Sequence, residues 1–338
     1  MYGRVRLYIS ACFYYSGLIN LIRWWTQRAS SRLTILYYHQ ASKSNLRSHW
    51  LYLRRHYRIR PLEEALEELS MPDKQGSSGK DRRSLLALTF DDGYDDNYTH
   101  AFPLACELQI PITIFLIPEY IECDNAFWWA TRLIRLAQVE RVTFEEQTYN
   151  LESQEERKAL AQVLDASFSH YTSPIEQEKF MASLYKVLAI PSSVVIKEKP
   201  SPLLTWAKVQ EMQKSGYVSF GAHTLHHPDL ANLVDPVEVQ HEVGTCCVTL
   251  EQQLGHPINS FAYPFGRPGK HGLQAVKQAG YDWAVTTTPG SNTCQSPPHL
   301  LRRRNMDGNK HWLVVAAETA GIWGFFSRLK GNLHGIIR

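Results

Sequence analysis

From Leu33 onward the chain repeats one local event: a short run of apolar, β-prone residues that stops abruptly in polar or turn-forming ones. Six such runs predict strands: LTILYYH ending at His39, LLALTF before Asp91, ITIFLI before Pro118, GYVSFGA before His223, INSFAYPFG ending at Gly266, and WAVTTT before Pro289. Their near-continuous apolar character, without strict alternation, is that of strands buried on both faces of a parallel sheet. Helical spacing marks residues 61–69, 97–108, 204–215, 236–254 and 272–279, with Gly216, Gly255 and Gly280 where helix C-caps belong. This alternation predicts an α/β barrel or a doubly wound sheet, and in both the chemistry sits at the C-terminal ends of the strands.

Two stretches break the rhythm. Residues 71–83 (MPDKQGSSGKDRR) are polar and rich in Gly and Ser and read as a surface loop. Residues 119–202 open on FWWATRLIRLA and carry a charged helical run, which reads as a helical segment inserted between two strands. Phe127, Trp128 and Trp129 of that opening are expected to pack the insertion on the barrel.

The ends of the chain differ from the middle. Residues 7–22 (LYISACFYYSGLINLI) carry no charge and are flanked by Arg4, Arg6, Arg23 and Arg28. The run is short of the ~20 residues a spanning helix needs and is a poor cleavable signal, because its small-x-small site follows the arginines. We expect residues 1–32 to form an apolar, amphipathic helix on a membrane surface, with a signal anchor or a helix packed on the domain as alternatives. Residues 306–338 end in a similar mixture of aromatic, aliphatic and basic residues and are expected to form an amphipathic tail, with a helix packed on the domain as the alternative. Peripheral membrane contact through both termini follows, with the cytoplasmic face favoured.

Composition narrows the partners. Thirty-six Lys and Arg against 33 Asp and Glu give a net charge of +3, too slight for nucleic acid as the main partner. The 12% aromatic content suits sugar stacking or a membrane interface, and it is also good core material. Six cysteines without a C-x-x-C pair indicate neither a zinc ribbon nor a disulfide framework, in keeping with a reducing compartment.

The candidate chemistry lies at the strand ends. Asp91 and Asp92 stand side by side directly after an apolar strand, where two carboxylates need a counter-charge or plentiful water, and a cation is the natural one. His223 and His227 follow another strand and are four apart, a spacing that on a helical turn puts both imidazoles on one face; His226 could replace His227. Two His and one carboxylate leave coordination positions open, as a hydrolytic site requires. Asp95 and Asp96 read as solvated or helix N-terminal acids.

In order, TFDDG, H-T-x-x-H and FAYPFG resemble the polysaccharide deacetylases of carbohydrate esterase family four, the NodB-homology domains, over residues 33–305 with 119–202 as an insertion. The resemblance implies a distorted (β/α) barrel and a divalent cation, zinc foremost, with cobalt or nickel as alternatives. By position Asp91 matches the general base, Asp92, His223 and His227 the metal ligands, and Thr224 the residue supporting the histidine loop. Phe265 matches the position whose N–H helps hold the oxyanion, and His39, Thr224, Tyr263 and Pro264 are expected to face the substrate. The implied reaction is attack of a metal-bound water on an N-acetyl carbonyl, with Asp91 as base.

The departures are specific. Where many members carry an arginine two residues before the third motif's proline, this chain has Ala262, and the later tryptophan and histidine motifs have no clear counterpart in YDWAVTT and LLRRRNM. The chain therefore sits nearer the exopolysaccharide and poly-N-acetylglucosamine deacetylase branch, with the general acid unassigned and His39 and Arg303 as candidates for the vacant roles. The expected function is metal-dependent N-deacetylation of an amino-sugar polysaccharide. Deacylation or deformylation of a lipid-linked amino sugar, or a degenerate carbohydrate-binding module, are the alternatives.

Overall fold

The computed structural model describes residues 2–29, 32–41, 45–71, 81, 83–122, 129–169, 174–191 and 203–322. Most of the expected 71–83 loop, Phe127 and Trp128, and residues 323–338 of the expected tail lie outside the described residues. The chain divides into a main unit, Met1–Glu122 with Leu203–Arg338, and a second unit, Cys123–Pro202.

The main unit is built on an all-parallel sheet. Its strands are β1 (Leu33–Tyr38), β2 (Arg58–Ile59), β3 (Leu85–Phe90), β4 (Ile112–Leu116), β7 (Val218–Ala222), β8 (Ser260–Ala262), β9 (Trp283–Val285) and β10 (Arg303–Asn305). They run in the order β10-β1-β3-β4-β7-β8-β9, with β2 added on β3. Val285 of β9 bridges Leu301 in parallel, two residues before β10, so the sheet nearly closes into a barrel. All six predicted strands are present, and β1, β3 and β4 are buried along their whole length.

Strand parity sorts the side chains into two cores. Leu33, Ile35, Ala87, Phe115, Ala262 and Val285 form one cluster, closed by Leu62, Ala65, Leu66 and Leu69 of the helix Leu62–Ser70. The alternate positions Leu36, Tyr38, Leu88, Phe90, Ile114 and Phe261 pack with the surrounding helices, among them Leu46–His56 through Trp50 and Leu53, and Pro236–Leu254 through Val239, Val243 and Leu250.

The N-terminal end departs from expectation. Residues 1–32 form two helices, α1 (Tyr2–Tyr15) and α2 (Leu18–Ala29), because Gly17 takes a left-handed φ of 77° between them. Residues 306–322 follow the packed alternative: the helix Trp312–Thr319 is buried at Leu313 through Ala317 and packs with α1 and with Leu46–His56. Among the described residues no single helix is long and apolar enough to cross a membrane, and α1 and α2 together meet that test only as a pair bent by 72°.

The second unit corrects the expectation of a purely helical insertion. Besides the helices Trp129–Leu136, Gln154–Ser169 and Pro174–Val187 it contains an antiparallel hairpin, β5 (Arg141–Phe144) and β6 (Gln147–Asn150). Its turn places Glu145 and Glu146 at φ 47° and 67°. Two-residue hairpin turns of that geometry normally carry Asn-Gly or Asp-Gly, so Glu-Glu hides the turn from a reading of the sequence. Its own core includes Ala130, Ile134, Val142, Tyr149, Leu160 and Leu184.

Candidate active site

The chain leaves β1 at His39, β3 at Asp91, β7 at His223 and β8 at Tyr263, all at the C-terminal edge of the sheet. Asp92, His223 and His227 converge there, all buried, with one ligand atom from each within 4.8 Å of the others; among the described residues this is the one cluster of its kind. The Nε2 atoms of His223 and His227 stand 3.5 and 3.7 Å from Asp92 Oδ1. Both Asp92 oxygens are buried without a hydrogen-bond partner among the described residues. Such orphaned acceptors are costly in a protein interior and point to a cation as the missing partner.

Both imidazoles turn Nε2 toward Asp92. His223 Nδ1 lies 2.7 Å from the carbonyl of Ala262, which assigns the N–H to that nitrogen and leaves Nε2 to face Asp92. Burial first, and then His223, lower the His227 pKa to about 3, so its ring is neutral at physiological pH. Burial pushes the Asp92 carboxyl up, but the neighbouring His223, His39 and His227 outweigh it and hold the group at about 2.

The histidine spacing works in a different way from the one expected. Residues 223–229 form an irregular loop and not a helical turn, with Thr224 and His227 at φ 62° and 61°. Thr224 is fully buried; its Oγ1 donates to the His223 carbonyl at 2.6 Å and accepts the His227 N–H at 2.9 Å. This corrects its placement against substrate, since the hydroxyl is spent on shaping the loop. His226 stands outside this cluster: its Nδ1 pairs with Glu242 at 2.8 Å. Glu242 also accepts the N–H groups of Leu225 and His226 at 3.1 and 3.0 Å. Sequence reasoning missed Glu242, although an acid between Val239 and Cys246 on the buried stripe of a helix was the available signal.

Arg303, one of the two candidates for the vacant roles, meets Asp91. Its side chain is completely buried; Nη1 and Nη2 donate to Asp91 Oδ1 and Oδ2 at 2.7 and 2.8 Å, and Nε donates to the Thr286 carbonyl at 3.0 Å. The guanidinium lies 4.4 Å from the Tyr37 ring centroid. Burial raises the Asp91 pKa, but Arg303 foremost, with His223 next, lowers it further and keeps the carboxylate ionised.

The third motif forms a tight turn. Pro264–Gly266 is a single 3₁₀ turn in which Phe265 has φ 56° and an exposed ring 5.2 Å from His227. Tyr263 and Pro264 are buried, and the Tyr263 hydroxyl donates to the His299 carbonyl at 3.1 Å, so their side chains build the turn. Asp229 and Arg267 form an ion pair that ties this turn to the histidine loop. His39 is exposed at the C-terminal end of β1, among the groups that lower the pKa of Asp91 and Asp92. Asp95 is not simply solvated, since it pairs with Lys208. Four of the site residues, Asp92, Thr224, His227 and Phe265, are non-glycine residues in the left-handed region, the concentration of backbone strain that functional sites carry.

Comparison with known proteins identifies the class. Residues 78–284 match the polysaccharide deacetylase family model, and the chain belongs to that family, whose members are hydrolases acting on amide carbon–nitrogen bonds. The Bacillus subtilis (strain 168) protein YxkH, which bears a provisional polysaccharide deacetylase name, is 22% identical over 290 residues, 83% of this chain and 73% of that one. The fold resembles the Streptococcus pyogenes deacetylase PplD, solved in complex with acetate, with a TM-score of 0.55 and 19% identity over 85% of this chain and 97% of that one. IcaB from Ammonifex degensii is similar with a TM-score of 0.54 and 17% identity, over 86% and 98%.

Proposed function

We propose that this deacetylase removes N-acetyl groups from the amino sugars of a polysaccharide and depends on a divalent cation held by Asp92, His223 and His227. The observation that carries the reading is the buried convergence of these three ligands beside a separate carboxylate, Asp91, whose own charge is already matched by Arg303. A structural site would close its coordination shell, whereas three ligands leave a position for the reaction. A cation of the zinc type, with cobalt or nickel as substitutes, would supply Lewis acidity to the amide carbonyl and make water acidic enough to react near neutral pH.

The chain's own residues do the rest. Asp91, ionised and fixed in orientation by the Arg303 fork, accepts the proton of the attacking water. The left-handed turn at Phe265 directs a backbone N–H toward the carbonyl oxygen as it gains charge. His39, at the C-terminal end of β1 and among the groups that lower the pKa of both carboxylates, gives a proton to the departing amine. Water and the N-acetyl sugar are converted to acetate and the free amino sugar.

The test is amine release from N-acetylglucosamine oligomers by zinc-loaded protein, metal-stripped protein and Asp91→Asn. Release that requires metal and falls roughly 10²–10⁴-fold in Asp91→Asn supports the reading. Protein that binds metal and oligomer but releases no amine would replace it with a carbohydrate-binding role. Release confined to a lipid-linked N-acetyl sugar would move the substrate to that carrier.

A further inference from the structure

The face that α1 and α2 turn away from the main unit is apolar and aromatic. Exposed positions on α1 include Val5, Tyr8, Ile9 and Tyr15, whose spacing keeps them on one side of the helix; Tyr8 and Tyr15 are 70% and 76% exposed. On α2, Leu21 and Trp25 are 59% and 71% exposed. The opposite sides are anchored: Tyr14 meets Trp312 edge-on at 4.9 Å, Ile19 is fully buried, and Arg23 donates to the Tyr52 hydroxyl at 3.1 Å.

The charge around this face is one-sided. Residues 1–62 hold eleven Lys and Arg and no Asp or Glu, although the whole chain is nearly balanced at +3. The local field is felt at His56, whose pKa is lowered to about 4 by burial first and then by Arg23, Arg55 and Arg83. Aromatic and aliphatic side chains on one face, in a region whose basic residues outnumber the acids they pair with (Glu318 for Arg6, Glu107 for Arg47, Glu68 for Arg58), complement the headgroups and upper acyl region of an anionic bilayer. A second copy of the chain complements them poorly, since a two-fold contact would bring two regions of excess positive charge together.

We propose that α1 and α2 dock the protein in the plane of an anionic lipid membrane without crossing it. Crossing would require both helices to leave their contacts with Tyr52 and Trp312 and to straighten a 72° bend. In-plane docking keeps those contacts and immerses only the exposed face. This role is independent of the chemistry proposed for the site.

The experiment is sedimentation of the full chain with phosphatidylcholine vesicles and with phosphatidylglycerol-rich vesicles, comparing wild type with Tyr8→Ser, Tyr15→Ser, Leu21→Ser and Trp25→Ser combined. Wild type is expected to sediment with the anionic vesicles, to be released by high salt or alkaline carbonate, and to bind at least about tenfold more strongly than the variant. The variant should keep its circular dichroism and its activity on soluble oligomers, and Tyr8→Ser with Trp25→Ser alone serves if the fourfold change disturbs folding. Equal binding of wild type and variant, no binding to either vesicle, or a dimer that the variant converts to monomer would overturn the proposal. Resistance of the wild type to carbonate would replace docking with insertion.

Discussion

Arg303 and Asp91 lie 212 residues apart in sequence and meet through two parallel hydrogen bonds of 2.7 and 2.8 Å, with both side chains buried. A buried pair of this kind adds little net stability over an apolar pair, but removing one partner strands the other charge. Arg303→Met should therefore destabilise the fold by about 3–5 kcal/mol in urea unfolding, or force Asp91 to take up a proton. Arg303→Lys keeps the charge and loses the fork. It should retain most of the stability while kcat falls with little change in KM, the split expected of a residue that positions the base and does not touch substrate. A parallel fall in stability and activity for Lys and Met alike would mean that the pair only holds the fold.

The same pair sets an acid limit. Its carboxyl is held below the unfolded value of about 3.9, so the folded state binds fewer protons than the unfolded chain. The resulting stability is complete above the unfolded pKa and is lost as pH falls through the lowered folded pKa. The stability gap between wild type and Asp91→Asn, measured by urea unfolding at successive pH values, should be steady from neutrality to about pH 5 and shrink below about pH 4. A gap that stays constant to the lowest pH at which the protein folds would show that Asp91 is not held ionised by Arg303.

What could be read from the sequence followed the local rules. The strands were legible because strands buried on both faces are apolar throughout, and Asp91, Asp92, His223 and His227 because each lies one to five residues after a strand end. The Glu145–Glu146 hairpin was hidden because its turn uses residues that rarely adopt left-handed φ. The histidine loop looked helical because spacing alone does not distinguish a helical turn from a loop pinned by Thr224 and Glu242. Arg303 was named only as a candidate, since its partner is set by closure of the barrel, where β10 pairs with β1 and so reaches β3. Burial of Tyr263 depends on the same closure, through the hydroxyl bond to His299.

Metal removal should separate ligands from neighbours. A cation at about 100 times its Kd stabilises the folded state by about 2.7 kcal/mol, so zinc should raise the Tm of the wild type. Asp92→Asn, His223→Ala and His227→Ala should abolish that rise. His226→Ala should keep the zinc-dependent rise and lose only about 1 kcal/mol, the scale of its contact with Glu242. Loss of the rise in His226→Ala, or its survival in His227→Ala, would reassign the ligand set.

The turn that carries Phe265 depends on Gly266. That glycine has φ 72°, and a Cβ placed there would stand 2.0 Å from Thr287 Oγ1 and 2.3 Å from Thr287 N. The side-chain clash could be relieved by rotating Thr287, but the backbone clash could not. Gly266→Ala adds the left-handed cost of roughly 1–2 kcal/mol to whatever the turn must do to move away. Because Thr287 Oγ1 donates to the Phe265 carbonyl at 3.1 Å, the displacement passes directly to Phe265. The expected result is a stability loss of at least about 2 kcal/mol in urea unfolding, with kcat reduced in the folded fraction and zinc binding intact, since none of the three ligands lies on this turn. Thr287→Ala, which removes the hydroxyl but leaves the backbone nitrogen, should rescue little of the loss. Full rescue would mean that the hydroxyl and not the backbone defines the turn, and unchanged kcat in Gly266→Ala would remove Phe265 from the reaction.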